Sequence, residues 1–375
     1  MIEKIKGAFG KTYKPLNLIT LSKTNLTKNY SYLSKISSSI KVAPVLKSNA
    51  YGHGIAKVAK ILDKNNLPMF CVDSLYEAYE LQKANIKTPI LIMGYLNPEN
   101  LKVKRLPFSY CVYDLTLLKA INEYQPGAQV HIKVDTGMHR LGVQIDQLEE
   151  FLKKASNYKN VKIVGLMSHL ASADEPQHPQ NKIQIENFQK AKKIISKYSS
   201  DLKWFHLAAS DGLINFHQTL SKFTNLSRVG LALYGVNPKD ANLKPVLELK
   251  SHIAQVKNIQ KGEYIGYSGT FKANKKMTLG ILPIGYNDGV DRRLSNAGEV
   301  KVKGKSCPIV GRLSMNIAAI DVSKVANAAI GDEVTVISKN SSDKNSLLNL
   351  ANICKTIPYE LLVHLSPTSI RREVI

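Results

Sequence analysis

The segment VAPVLKSNAYGHG, Val42 to Gly54, runs an apolar strand into a single lysine and follows it with a tyrosine and two glycines. A lysine at the end of a buried strand is costly to desolvate unless its amine is bonded or its pKa is lowered, and both conditions suit a lysine that forms a Schiff base. Lys47 is therefore the first candidate for chemistry; the plainer reading is one more solvated charge among 52 basic residues. Tyr51, with Gly52 and Gly54, stands at the mouth of the next predicted helix, where an anion such as a phosphate could be received. Ser210, in HLAASDG, opens another helical pattern, and its hydroxyl suits a helix cap or an anion ligand, two compatible roles. Arginine is rare: Arg105, Arg140, Arg228, Arg292, Arg293, Arg312, Arg371 and Arg372 leave 44 lysines among the 52 cations. Where lysine is otherwise so favoured, these arginines mark candidate sites for a planar donor fork.

These residues need elements to position them. From residue 41 to about 232 short apolar runs alternate with helical patterns, and strands are predicted near 41–46, 69–72, 90–93, 109–112, 129–134, 161–167, 204–207 and 227–229. Between them IAKVAKILDKN sets Ile55, Val58, Ala59 and Leu62 on one helical face, and Ser74 and Glu77 have capping-box spacing. Eight strand–helix repeats predict a (β/α)8 barrel of the TIM type over residues 1–240, with an open doubly wound sheet as the alternative. After the linker NPKDANLKP, with Pro238 and Pro245, the texture changes to short strands and glycine turns, predicting a mostly β domain over 241–375. NLITLSK has no place among the eight strands and is a candidate to pair with that later sheet, and SKNSSDKNS, 338–346, looks disordered.

Composition limits the function. The net charge of +23 is spread along the chain without a basic tail or an aromatic-interleaved basic motif, which argues against nucleic acid as a partner. No apolar run approaches the roughly 18 residues of a membrane span, and MIEKIKGAFGKTYK lacks the apolar stretch of a signal peptide, so no membrane partner and a cytoplasmic location are expected. Cys71, Cys111, Cys307 and Cys354 show neither paired nor metal-ligand spacing and read as reduced structural thiols, with no metal site.

The Lys47 segment resembles the pyridoxal-phosphate attachment motif of the alanine racemase family, and further motifs follow in order from about residue 15 to 372: KVDTGMHRLG, MSHLASADE, HLAASDG, RVGLALYG, GYSGTF, GYNDGVDRR, GRLSMN and IPYE. The resemblance implies that Lys47 holds pyridoxal 5'-phosphate, that Tyr51, Ser210 and the backbone of Gly230 and Leu231 cradle its phosphate with Tyr359 beside it, and that Arg228 faces its pyridine nitrogen. Because a guanidinium only donates, that nitrogen would stay unprotonated and the ring would be a weaker electron sink, limiting transamination. Arg140 is implied to orient the substrate carboxylate with the Met315 backbone, and Lys133, carbamylated in some members, to position Arg140. His169 is implied to relay between Arg228 and a catalytic Tyr267 that acts in the partner subunit's site. Tyr286, Arg292, Arg312 and Ile357 fall at the implied entry gate. The expected function is the interconversion of L- and D-alanine by Lys47 and Tyr267 as two bases, in a homodimer supplying D-alanine for peptidoglycan; a serine or broad-specificity racemase of the same fold is the alternative. A carrier barrel without turnover would lack the Tyr267 motif, and a decarboxylase of similar architecture is disfavoured because neither Cys307 nor Cys354 lies in a recognisable catalytic motif. Two positions depart from the family pattern: Asn316 stands where aspartate is usual and Ala209 where asparagine is usual.

Overall fold

The computed structural model describes residues 14–236, 240 and 242–375. The linker position Pro238 and the first 13 residues of the amino-terminal segment lie outside the described residues. The chain divides into two units, one of Leu26–Tyr51 and Ile55–Leu243, the other of the residues up to Asn25, Gly52–Gly54 and Lys244–Ile375.

The first unit contains the parallel strands Lys41–Pro44, Phe70–Val72, Ile90–Ile92, Ser109–Val112, Gln129–Asp135, Lys162–Met167, Trp204–His206 and Leu226–Val229. Successive members from the second to the seventh pair in parallel, with registers such as Phe70↔Ile90, Cys111↔His131 and Lys133↔Met167. The ring closes where Arg228 pairs with Ala43, where Val45 bridges Cys71, and where the amides of Asn225 and Arg228 donate to the carbonyls of Phe205 and Ala208, each at 3.0 Å. This is the closed barrel; the open-sheet alternative is not what forms. Its strands are buried nearly throughout, as parallel strands covered on both faces must be. The helix Ile55–Leu62 buries Ile55, Val58, Ala59 and Leu62, the stripe its spacing predicts. Burial of each of the larger of these side chains favours folding by about 1.5–3 kcal/mol. Ser74 and Glu77 close a reciprocal capping box at the start of Leu75–Lys83.

The second unit is built on a sheet ordered Lys305–Pro308, Glu299–Val302, Glu333–Ile337, Leu247–His252, Leu18–Leu21 and Arg371–Val374. The early strand sits inside this sheet, antiparallel to Leu247–His252 and parallel to Arg371–Val374. A smaller sheet of Gln255–Ile259, Met277–Leu282 and Ala318–Asp321 packs around Ile265, Ala273, Leu279 and Val310. Two features differ from the sequence reading. The helices Leu347–Ile353 and Pro358–Val363 interrupt the β texture, the first capped by Ser346 and the second opened by Pro358. The 338–346 segment is a tied turn: Asp343 accepts from Lys301 Nζ at 2.8 Å and from Ser338 Oγ at 2.7 Å, so its polar residues bond one another.

The four cysteines are free and buried. Among the described residues no helix is long and apolar enough to cross a membrane, and no group of three or more His, Cys, Asp or Glu side chains could hold a metal ion.

Candidate active site

Lys47 is half-buried, just beyond the first barrel strand. The next four residues, which the sequence only places ahead of the following helix, have a conformation of their own. Ser48, Asn49, Ala50 and Tyr51 all have positive φ, between 51 and 54°, and form a left-handed turn. For L-residues this conformation costs about 1–2 kcal/mol each, and the surrounding bonds hold it. Ala50 N donates to Leu46 O at 2.8 Å, Ser48 N to Glu77 Oε1 at 2.5 Å, and Ile55 N to Asn49 Oδ1 at 2.9 Å. The turn sets the buried Tyr51 against the loop after the eighth strand. A Cβ on Gly230 would lie 2.5 Å from Tyr51 Oη, so only glycine allows that approach. Beside it the buried Ser210 accepts from Ala232 N at 3.2 Å. Ala209 caps the helix Ser210–Leu220 without a side-chain bond, leaving its first amides without that partner. Tyr51, Ser210, Gly230 and the adjoining Leu231 thus lie together.

Arg228 is buried on the eighth strand and bound by oriented acceptors. Its Nη1 reaches His206 Nδ1 and His206 O, both at 2.9 Å, and its Nη2 reaches Ser168 O at 2.6 Å and His169 Nδ1 at 3.3 Å. A guanidinium only donates, so His206 Nδ1 and His169 Nδ1 are acceptors. His206 must then carry its proton on Nε2 and donate it to His131 Nδ1, 2.8 Å away. That leaves the proton of His131 on Nε2, which is buried and has no hydrogen-bond partner among the described residues. Gly165 makes room for the ring, because a Cβ there would meet His131 Nδ1 at 2.3 Å. Burial first, and Arg228 second, push His131 and His169 down to about 3 and His206 well below the ordinary histidine range, so all three are neutral near pH 7. The four terminal N–H groups of Arg228 are thereby used, and its Nε–H has no partner among the described residues.

His169 keeps some exposed surface yet is closely enclosed, and the cations Arg228, Arg140, Lys133 and Lys47 all depress its pKa. Lys133 is buried on the fifth strand; desolvation lowers its pKa, and Arg228 and Arg140 lower it further. Arg140 is exposed, in the loop 136–142, and forms no ion pair among the described residues. Four basic side chains therefore act on one neutral histidine, Arg228 through a direct bond.

The remaining candidates belong to the second unit. Tyr267 is 70% exposed on a turn held by Arg312 Nη1 donating to Ser268 Oγ at 3.2 Å. Tyr286 and Asn287 donate through their amides to the carbonyls of Ser314 and Met315, at 3.2 and 2.9 Å, which brings the implied gate segment to the Met315 loop. Tyr286 and Arg292 also line a cavity of about 330 Å³ with Leu361 and His364. Ile357 and Met315 are exposed and Tyr359 is half-buried.

Two family models match the chain, the alanine racemase N-terminal domain over residues 21–238 and the alanine racemase C-terminal domain over residues 246–373. The chain belongs to the alanine racemase family. Membership places it among the isomerases, in the class of pyridoxal-phosphate-dependent amino-acid racemases. It is 34% identical to the alanine racemase of Syntrophobacter fumaroxidans over 347 residues, 90% of this chain and 92% of that one. The alanine racemase of Bacillus anthracis, solved with bound L-Ala-P, superposes with a TM-score of 0.88 at 27% identity, covering 97% of this chain and 96% of that one. That of Bartonella henselae, solved with covalently bound pyridoxal phosphate, gives 0.83 at 26%, covering 96% and 100%.

The sequence reading missed several residues that shape this alanine racemase-family site. Glu77 appears in sequence only as a helix cap, yet it also holds the Lys47 turn from 29 positions away. His131 and His206 read as ordinary strand residues; the available signal was a histidine two positions before Lys133, a spacing that puts both side chains on one face of the strand. Of the two departures, Ala209 removes a helix cap, and Asn316 is exposed.

Proposed function

We propose that the protein interconverts L- and D-alanine with pyridoxal 5'-phosphate bound through Lys47. The observation that carries the reading is the convergence of Lys47, Lys133, Arg140 and Arg228 on the neutral His169, in a barrel that also sets Tyr51 against Gly230 and Ser210 against Ala232. A site for two anions, a phosphate and a carboxylate, needs such charge. The residues fit the cofactor: Tyr51, Ser210 and the Gly230–Leu231 backbone would hold the phosphate, and the one unbonded donor of Arg228, Nε–H, would face the pyridine nitrogen. When bound, pyridoxal phosphate supplies the ring that withdraws electrons from the α-carbon of an attached amino acid.

The chain supplies the rest. Racemisation needs a proton to leave one face of the α-carbon and arrive on the other, and one fixed amine cannot readily serve both. Lys47 would serve the D-alanine face, and Tyr267 of the partner subunit the L-alanine face; the exposure of Tyr267, Met315 and Ile357 in the single chain supports sites completed in a homodimer. His169, neutral and bonded to Arg228 through Nδ1, presents Nε2–H as the donor of the relay. Arg140 would take the substrate carboxylate, and Lys133 is suited to carbamylation because a depressed pKa raises the fraction of neutral amine able to react with carbon dioxide, releasing one proton. Tyr286, Arg292, Arg312 and Ile357 would border the entry. The D-alanine would supply peptidoglycan synthesis in the cytoplasm.

The test is turnover of L- and D-alanine, serine and lysine by the cofactor-loaded enzyme, with α-proton exchange in deuterium oxide. Alanine should be preferred, and Tyr267→Phe should suppress racemisation while exchange survives better from D-alanine than from L-alanine. Equal rates on bulky substrates, or full activity of Tyr267→Phe, would overturn the assignment.

A further inference from the structure

The helix Pro179–Ile195 carries an amide side chain at each of positions 180, 184 and 187, a spacing of four and three that puts them on one face. That face is bonded to two different loops at the carboxyl ends of the barrel strands. Gln180 Nε2 donates to Gly137 O at 2.7 Å and its Oε1 accepts from Ser172 Oγ at 3.1 Å. Asn187 Nδ2 donates to Thr136 O at 3.0 Å. Gln184, completely buried, makes the central link: its Oε1 accepts from Ala171 N at 2.8 Å, and its Nε2 donates to His169 O at 2.9 Å and to Thr136 Oγ1 at 3.4 Å.

The direction of the bonds beyond Gln184 is fixed. Ser168 Oγ spends its only proton on Val134 O, 2.8 Å away, so in its 2.8 Å bond with Thr136 it must accept. Thr136 Oγ1 therefore donates to Ser168 and is left to accept from Gln184. The chain Gln184→Thr136→Ser168→Val134 is complete, and Ser168 O also takes the shortest bond of Arg228, at 2.6 Å. A buried network in which every polar atom is satisfied is stiff, because moving any member leaves a desolvated group unpaired. One glutamine thus ties the loop that carries Arg140 to the segment that carries His169.

We infer that Gln184 is a positioning residue for the reaction, holding the Arg140 loop and the His169 segment in one register through its buried amide, with Gln180 and Asn187 as outer ties. The inference deepens the racemase reading and rests on it for the roles of Arg140 and His169. The link itself exists without substrate or cofactor, so it can be tested apart from that reading.

Gln184→Met keeps the side-chain length and removes all three bonds, whereas Thr136→Val keeps the shape of threonine and removes the hydroxyl's two bonds, to Ser168 and from Gln184, while the Gln184 bonds to Ala171 and His169 stay. Hydrogen exchange followed by mass spectrometry on ligand-free protein should be faster in 136–142 and in 168–172 together for Gln184→Met, each by about tenfold or more. In the loaded enzyme the KM for alanine should rise at least about tenfold, with pyridoxal phosphate affinity within about threefold of the parent, since misplacing a substrate-orienting group by an ångström can cost about a hundredfold. The double variant should lose less than the product of the single losses. Faster exchange in only one segment, or KM and kcat both within about twofold of the parent, overturns the inference, as does a loss of activity that merely follows lost cofactor occupancy. If Gln184→Met does not fold, Thr136→Val decides: exchange at 168–172 must quicken although the substitution is at 136, and unchanged exchange overturns the coupling. Coupled exchange in a protein that fails to racemise alanine would refute the catalytic reading and leave the link standing.

Discussion

Lowering the pH from 7 to 5 should weaken the fold through His131, His169 and His206. In the unfolded chain a histidine takes up a proton near pH 6.5. In the native protein burial and Arg228 hold His131 and His169 at about 3 and His206 well below its ordinary value. Between those limits the unfolded state binds more protons than the folded one, so the stability held by the neutral rings is complete above about pH 6.5 and is lost as pH falls toward 3. At pH 5 the cost is about 2 kcal/mol each for His131 and His169, or about 4 kcal/mol if they are independent, and His206 adds to it in the same direction, against a typical total stability of about 5–15 kcal/mol. Bonding between His131 and His206 makes that sum an upper value. Asp63 and Asp135, whose pKa values are lowered by backbone amides, respond in the same direction but only nearer pH 4. The assay is urea unfolding of the ligand-free protein across pH 7 to 5, with the slope converted to protons taken up. The parent should take up two to three protons per chain near pH 5, about one for each histidine, and His131→Phe about one fewer. Uptake below about one proton in the parent, or an unchanged slope in His131→Phe, would refute the neutral network and with it the tautomers assigned around Arg228.

Gly230→Ala should drive Tyr51 from its place, because the new Cβ would lie 2.5 Å from Tyr51 Oη; we expect cofactor affinity to fall at least about tenfold in a fluorescence titration, a change of about 1.4 kcal/mol, and an unchanged affinity would remove Tyr51 from the cradle. If Lys133 is carbamylated, density maps from crystals grown with bicarbonate should show three extra atoms beyond Nζ, in contact with Arg140; bare lysine density would reject the modification. Mixing Lys47→Ala and Tyr267→Phe subunits should restore part of the activity, since one site of the mixed dimer would carry both defects and the other neither; no recovery in proven heterodimers would reject shared sites.

The barrel was legible because its strands are short apolar runs separated by helices with a clear buried stripe, as at Ile55, Val58, Ala59 and Leu62. The place of Leu18–Leu21 inside the later sheet was legible by exclusion, since it had no partner among the eight strands. The Lys47 turn was not, because nothing local favours four successive non-glycine residues at positive φ; the compensation comes from Glu77, whose capping spacing with Ser74 explains only half of its bonds. The candidate site residues came from motifs, and motifs record which side chains recur but not what holds them. Hence Arg228 was read from RVGLALYG and His169 from MSHLASADE, while His206, which bonds Arg228, and His131 behind it lay unmarked inside barrel strands. The amides at Gln180, Gln184 and Asn187 carry helical spacing in plain view, yet their meaning depends on loops at 136–137 and 168–172 that only the fold brings to them.

Covalent labelling decides whether Lys47 is the attachment point of the cofactor. The protein is loaded with pyridoxal 5'-phosphate, reduced with borohydride, digested and mapped by mass spectrometry. The near-visible absorption should be lost on reduction and one labelled peptide recovered, with the phosphopyridoxyl group on Lys47 and none in Lys47→Ala. Stoichiometric label on another lysine, or no label in protein shown to racemise alanine, would contradict that attachment.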